Sequence, residues 1–251
     1  MRLSGRSAIV TGAGSSIGFS IARRLAQDGV KVAIADIVGA DAAAESLRKE
    51  GFEAVGVTTD VSDEAAVASL VEQTVGRFGG VDILVNNAAI SKTLKMTPFE
   101  ELTLSEWRRI LDVNTIGVFL CCRAVAPHMR SKGYGRIVNL TSGTAFKGAP
   151  FIMHYVASKG AVMSMTRSLA RELGTHNITV NAVSPGYTRS RGNLENPDFD
   201  RAQTDINRAS RAIARDEHEE DLVGSVSFFA SDDAAFVTGQ ILAVDGGSVY
   251  H

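Results

Sequence analysis

Short apolar runs alternate with helical patterns along most of the chain, and no other feature limits the fold as strongly. Residues 7–11, 31–35, 54–58, 83–85, 137–140, 179–183 and 241–244 read as strands. Residues 17–28, 41–49, 65–78, 105–130, 155–173 and 218–230 lie between them and read as helices. Such alternation implies an α/β fold: a doubly wound parallel sheet of about seven strands, with helices on both faces and right-handed crossovers. No repeat or linker divides the 251 residues, so one domain over residues 1–251 is expected. A chain of this size buries roughly three-quarters of the surface it exposes when unfolded. Residues 187–216 break the pattern with Gly192, Pro197 and many charges, and read as a substrate lid.

Charge is nearly balanced, 26 Lys+Arg against 28 Asp+Glu without a basic block, so nucleic acid is not an expected partner. No uninterrupted apolar run approaches the ~20 residues of a membrane span. The first residues lead into a strand without a signal-peptide pattern. Cys121 and Cys122 are adjacent within a helical pattern, a poor geometry for pairing, and read as packing residues in a reducing compartment. A cytoplasmic protein without a membrane partner is the expectation. No His/Cys/Asp/Glu group has metal-ligand spacing, so no metal is expected.

Chemistry concentrates at three places. Tyr155 and Lys159 stand four apart in HYVASKGAV, on one face of a helix. An ammonium beside a phenol favours the phenolate, drawing a pKa of about 10 toward neutrality, as a general base removing an alcohol proton requires. Ser142 closes the run Ile137-Val138-Asn139-Leu140, which puts its hydroxyl at a strand's carboxyl end. No G-x-S-x-G elbow surrounds it, so acyl transfer is not indicated. The segment TGAGSSIG joins the first strand to the first helix, the context in which a glycine turn and a helix N-terminus hold a pyrophosphate. Asp36 ends the second strand; a carboxylate there accepts hydrogen bonds from ribose hydroxyls and repels a 2′-phosphate. Ile37 and Val38 after it bring no cation, so NAD is preferred over NADP. His154 points about 100° away from Tyr155 and reads as an interface or pocket-rim residue.

TGAGSSIG (11–18), Asp36, Asp60-Val61, NNAA (86–89), Asn114, Ser142, YVASK (155–159), Pro185-Gly186 and Asp245-Gly246-Gly247 together resemble the classical short-chain dehydrogenase/reductase family. The resemblance runs from Arg6 to Gly247 and is similar to that of bacterial NAD-dependent secondary-alcohol dehydrogenases. It implies a Rossmann-type fold and a catalytic set of Asn114, Ser142, Tyr155 and Lys159. It implies that the cofactor meets Gly12, Ser15, Ser16, Ile17, Gly18, Asp36, Ile37, Asp60, Val61, Asn87, Ala88, Tyr155, Lys159, Pro185, Gly186 and Thr188. Asn114 would contact a water linking Lys159 to solvent. Ser16 replaces the middle glycine of the family's T-G-x-x-x-G-x-G, so a Cβ there is expected to crowd the cofactor unless Gly14 absorbs the change.

The resemblance implies hydride transfer between a nicotinamide and the carbinol or carbonyl carbon of a small alcohol or ketone. Reduction of a 3-oxoacyl thioester on acyl carrier protein is the alternative, and a non-catalytic dinucleotide sensor is a third reading that intact Ser142, Tyr155 and Lys159 disfavour. The pocket is expected from Ile90, Ser91, Lys92, Thr144, Phe146, Lys147, Phe151, Met153 and Tyr187, with Arg189 nearby. Its three basic residues suit either an anionic substrate group or solvent. A homotetramer is implied, with Phe119, Leu120, Val162 and Met165 supplying apolar surface on two helices.

Overall fold

Every one of the seven expected runs forms a strand: β1 (Ser7–Thr11), β2 (Lys31–Asp36), β3 (Ala54–Thr58), β4 (Ile83–Asn86), β5 (Gly135–Leu140), β6 (Ile178–Pro185) and β7 (Ile241–Val244). The structure, a computed structural model, describes residues 3–91, 93–190 and 201–250, without the side chains of 201–203. The strands form one parallel sheet in the order β3-β2-β1-β4-β5-β6-β7, with Ala8 of β1 paired to Val32 on one side and Ile83 on the other. Alternate residues serve opposite faces. Ala8, Val10, Val32 and Ile34 pack with helices α1 (Ser16–Gln27), α2 (Ala40–Lys49) and the late Glu219–Ala230. Ile9, Ala33, Ala35 and Leu84 pack with α3 (Glu64–Phe78) and the helices between β4 and β6. Because both faces are covered, the strands read as continuous apolar runs rather than alternating ones.

The expected helix over 105–130 is interrupted. Helix α4 (Leu104–Leu111) passes into a π turn, Asp112–Ile116, before α5 (Gly117–Lys132) resumes. Asn114 lies in this wide turn, fully buried, with its side chain turned onto the Ile90 backbone. No propensity marks a π turn, because it forms around a tertiary contact. The combined rod, Leu104–Lys132, is long and apolar enough to cross a membrane by length and mean composition alone, and half of its most apolar window is buried in the protein. Its apolar residues pack instead on the sheet, including Leu120, Cys121, Cys122 and Val125. Of the four residues expected at subunit surfaces, Leu120 and Val162 are core residues and Met165 is partly buried against them. Phe119 alone is exposed.

Further helices follow as α6 (Thr144–Lys147), α7 (Met153–Leu173), α8 (Arg201–Ala209) and α9 (Glu219–Ala230). The short α6 and the charged α8 were not legible as helices. Gly192 and Pro197 lie outside the described residues, as does most of the centre of the expected lid. At the amino ends of the strands, Arg136 is buried with its guanidinium 3.1 Å from Asp232 and 4.3 Å from the Tyr134 ring centroid. That edge is closed by structural charges, and the carboxyl edge is left for chemistry.

Candidate active site

The sheet order reverses between β1 and β4, and the crevice outside their carboxyl ends is where an open α/β sheet takes a ligand. Here it opens into a cleft of about 1560 Å³. Two struts fix its floor. The Thr11 hydroxyl accepts the backbone N–H groups of Asn87 and Ala88, each at 3.1 Å, and the Asn87 amide donates to the Thr11 and Gly12 carbonyls, each at 2.9 Å. Backbones approach so closely that a Cβ on Gly12 would lie 2.7 Å from Ala88 Cα, and one on Gly18 would lie 2.2 Å from the Gly12 carbonyl. Such a bare backbone turn at a helix N-terminus fits a dinucleotide pyrophosphate.

Ser16 has φ 59°, the left-handed backbone that a glycine would adopt freely. Gly14 does not absorb the change. It is committed elsewhere, tucked so close to the end of β2 that a Cβ would sit 2.3 Å from the Val38 carbonyl. The Ser16 hydroxyl instead donates to Glu219 Oε1 at 2.9 Å, and Ser20 donates to Oε2 at 2.8 Å. This serine therefore ties the glycine turn to α9. Neither Glu219 nor its role in the turn had a sequence signal, because 203 residues separate the partners.

Asp36 Oδ2 accepts the Gly14 N–H at 2.9 Å, and Oδ1 accepts the Val38 N–H at 3.2 Å. Each oxygen keeps a second lone pair for a ribose hydroxyl. Ile37 and Val38 are exposed and line the same end of the cleft. Asp60 holds its own turn by accepting from the Ser62 N–H and hydroxyl. The N-cap of α3 is Asp63, whose carboxylate takes the Ala65 and Ala66 N–H groups.

At the other end, Ser142 follows β5, and Tyr155 and Lys159 project from α7. Ser142 Oγ accepts from Thr144 Oγ1 at 2.9 Å. Lys159 is buried and donates to the Leu140 carbonyl at 2.9 Å, with Nζ 5.8 Å from the Tyr155 ring centroid. Burial lowers the Lys159 pKa from 10.5 to about 8. Burial also raises the Tyr155 phenol above its ordinary value, against a smaller lowering by the neighbouring Ser142 hydroxyl. The expected lowering by Lys159 is thus not what the protein groups alone produce, since the ammonium is turned to a carbonyl and desolvation dominates.

Asn114 does not reach the cleft. Its Oδ1 accepts the Ile90 N–H at 2.8 Å and its Nδ2 donates to Ser158 Oγ at 3.2 Å, while Ser158 donates to the Tyr155 carbonyl at 2.7 Å. It braces the turn of α7 that carries Tyr155 and Lys159. All the remaining expected catalytic and cofactor residues line the one cleft. His154 is buried against Trp107, with ring centroids 6.2 Å apart, and does not line it.

Among the expected pocket residues, Ile90, Ser91, Thr144, Lys147 and Tyr187 line the cleft, joined by Leu94, Met96 and Ile152. Phe146 packs inward near Met163, Ala182 and Ile241. Phe151 and Met153 are exposed and outside the lining, and Arg189 is paired with Asp216 at 3.1 Å. Lys92 lies outside the described residues. Sequence reasoning missed a buried pair beside Thr188: Glu217 accepts from the Thr188 hydroxyl at 2.7 Å, the Gly186 N–H at 3.2 Å and Arg211 at 3.3 Å. Burial pushes Glu217 up to about 7 in spite of these donors.

A protein-family model described as Enoyl-(Acyl carrier protein) reductase matches residues 12–249. The chain is 40% identical over 246 residues to cis-4-hydroxycyclohexanecarboxylate dehydrogenase of Sinomonas cyclohexanicum, covering 96% of each. The chain belongs to the short-chain dehydrogenase/reductase family. It is 37% identical over 250 residues to a 3-oxoacyl-[acyl-carrier-protein] reductase FabG of Staphylococcus epidermidis (strain RP62A), covering 96% of this chain and 98% of the relative. Among solved structures, one from Sinorhizobium meliloti 1021 assigned as a short-chain alcohol dehydrogenase superimposes with a TM-score of 0.91 at 37% identity, covering 98% of this chain and 97% of that one. Another, from Beutenbergia cavernae, is assigned as an NAD(P) dependent gluconate 5-dehydrogenase and has NADP bound at low occupancy. It gives a TM-score of 0.90 at 37% identity, with the same coverage. The oxidoreductase class and the Rossmann-type sheet of this family are those of the present chain.

Proposed function

We propose that this oxidoreductase acts on the carbinol or carbonyl carbon of a small alcohol or ketone, with NAD preferred over NADP. The observation that carries the reading is the convergence of Ser142, Tyr155 and Lys159 at one end of a cleft whose other end presents Asp36. The dinucleotide, when bound, supplies the hydride acceptor or donor. Gly12, Ser15, Ser16, Ile17 and Gly18 form its pyrophosphate cradle, with Asp36 and Ile37 at the adenosine ribose and Asp60 and Val61 beside the adenine. Asn87, Ala88, Pro185, Gly186 and Thr188 flank the nicotinamide half. Ser142 holds the substrate oxygen, and Tyr155 takes its proton in oxidation or returns it in reduction. Lys159 keeps positive charge near the phenolate, and Asn114 fixes α7 so that these groups stay aligned. A panel of alcohols and ketones assayed with NAD(H) and NADP(H) by nicotinamide absorbance tests this. Absence of turnover with every pair would reject it.

A second reading, reduction of a 3-oxoacyl thioester on acyl carrier protein, is favoured by the 37% identical relative. Higher kcat/KM for an acetoacetyl thioester with NADPH than for any alcohol with NAD would select it. We further propose a homotetramer, on the exposed apolar residues Leu104, Ile116 and Phe119 of the α4–α5 rod and Phe236 and Leu242 near the C-terminus. Two buried, unpaired thiols suit a cytoplasmic setting.

A further inference from the structure

The substrate end of the cleft holds Lys147, an ammonium that no carboxylate answers among the described residues. Four charged groups of the surrounding segments, Arg189, Arg208, Arg211 and Asp245, are matched. Arg189 and Arg208 share Asp216 at 3.1 and 2.8 Å, and Arg211 pairs with Glu217 at 3.3 Å. Asp245 accepts three backbone N–H groups, from Gly247, Ser248 and Val249, each at 3.0 Å. Lys147, at the end of α6, has its ammonium on two serine hydroxyls instead: Ser210 Oγ, at 3.4 Å, and Ser248 Oγ. Lys147, Ser210 and Ser248 come from three separate segments, and all three line the cleft that holds Ser142, Tyr155 and Lys159.

The hydrogen-bond directions show what this cluster has to give. Ser210 spends its proton on the Asn207 carbonyl at 2.8 Å, so toward Lys147 it acts as an acceptor. Ser248 and Ser210 are hydrogen-bonded to each other, and with the Ser210 proton on Asn207 it is Ser248 that donates in that bond. A ligand entering here therefore meets the Lys147 ammonium, whose partners in the cluster are both neutral hydroxyl oxygens. A single positive charge matches a monoanion and underserves a phosphate dianion. We propose that Lys147, held in place by Ser210 and Ser248, seats a carboxylate of the substrate, so that the preferred alcohol carries a carboxylate remote from the reacting carbon. The proposal rests on the hydride-transfer reading above.

Inhibition and binding test the site together. Short- and medium-chain carboxylates, the corresponding carboxamides and inorganic phosphate are each titrated against oxidation of a neutral secondary alcohol, and each is also titrated by thermal shift in the presence of NAD. At least one carboxylate should compete with the alcohol far better than its amide, less so as salt is raised. Loss of one charge-assisted hydrogen bond should weaken that carboxylate on the order of tenfold in Lys147→Ala. Lys147→Arg should restore most of it, and Ser248→Ala should lose a smaller factor. Equal inhibition of wild type and Lys147→Ala, or amides as effective as carboxylates, would overturn the proposal. Phosphate outcompeting every carboxylate would overturn it in favour of a phosphate-bearing ligand. If no alcohol is turned over, hydride transfer fails, while the thermal shift still reports on the carboxylate seat.

Discussion

Lys159 carries its charge into the protein beside the reacting groups, and the cost of doing so sets two expectations. The folded chain releases this proton near pH 8 and the unfolded chain near 10.5. Below pH 8 both states hold the proton and the penalty is fully present. Between those values only the unfolded chain holds it, so stability rises with pH across that window. Lys159→Met should therefore be more stable than wild type at pH 7, by about 1–3 kcal/mol from the size of the shift, with the advantage shrinking toward pH 10. Urea denaturation at several pH values measures this, and an advantage independent of pH would contradict it. The same variant should be nearly inactive. Tyr155→Phe keeps the ring and deletes the proton acceptor, so it should lose turnover by roughly 10²–10⁴-fold while dinucleotide affinity stays close to wild type. Asp36→Ala should weaken NAD and raise relative use of NADP, because it removes a ribose acceptor and a charge that repels the 2′-phosphate. Steady-state kinetics with both dinucleotides decide it, and a wild type that prefers NADP would refute this role for Asp36.

Elements meet at the carboxyl edge through a few buried polar links. The end of β6 is pinned to the segment before α9 by Glu217, which holds Gly186 and Thr188 while Arg211 holds Glu217 and the Tyr187 carbonyl at 2.8 Å. Removing one partner of such a pair leaves a buried group uncompensated, at a cost of about 3–5 kcal/mol. Arg211→Leu should therefore be strongly destabilised, more at pH 8 than at pH 5, because protonated Glu217 needs no cation. Adding Glu217→Gln to Arg211→Leu should recover much of the loss and remove the pH dependence. Thermal denaturation of the single and double variants distinguishes this from simple loss of packing, which would move both equally.

At the scale of the whole molecule, the single-chain structure leaves Phe119 43%, Ile116 45% and Leu104 64% exposed along one rod, and Phe236 fully exposed near the C-terminus. Burying such side chains against another subunit is favourable by about 25 cal/mol per Å² of apolar surface. The proposed tetramer should persist at micromolar concentration, and Phe119→Glu should shift sedimentation toward smaller species without first unfolding the subunit. A wild type that sediments only as a monomer would dispose of it.

Legibility followed the range of the interaction. The seven strands, their helices and the parallel sheet were readable because burial on both faces writes long apolar runs into the sequence, and their bounds agree within about two residues. Motif order brought the expected cofactor and catalytic positions to attention, since a glycine turn and a four-residue helix spacing are local geometry. Asn114 was legible as a position while its place was not: a π turn and two hydrogen bonds put it behind the cleft. Glu217 and Glu219 carried no signal at all, and their partners, Thr188 and Ser16, lie 29 and 203 residues away. Phe146 turned inward and Arg189 found Asp216, so apolar and basic residues near the tyrosine did not all become pocket. Local chemistry is fixed by residue type and spacing. Which charge keeps a partner, and which way a burial penalty moves a proton, is decided only when distant segments fold against each other.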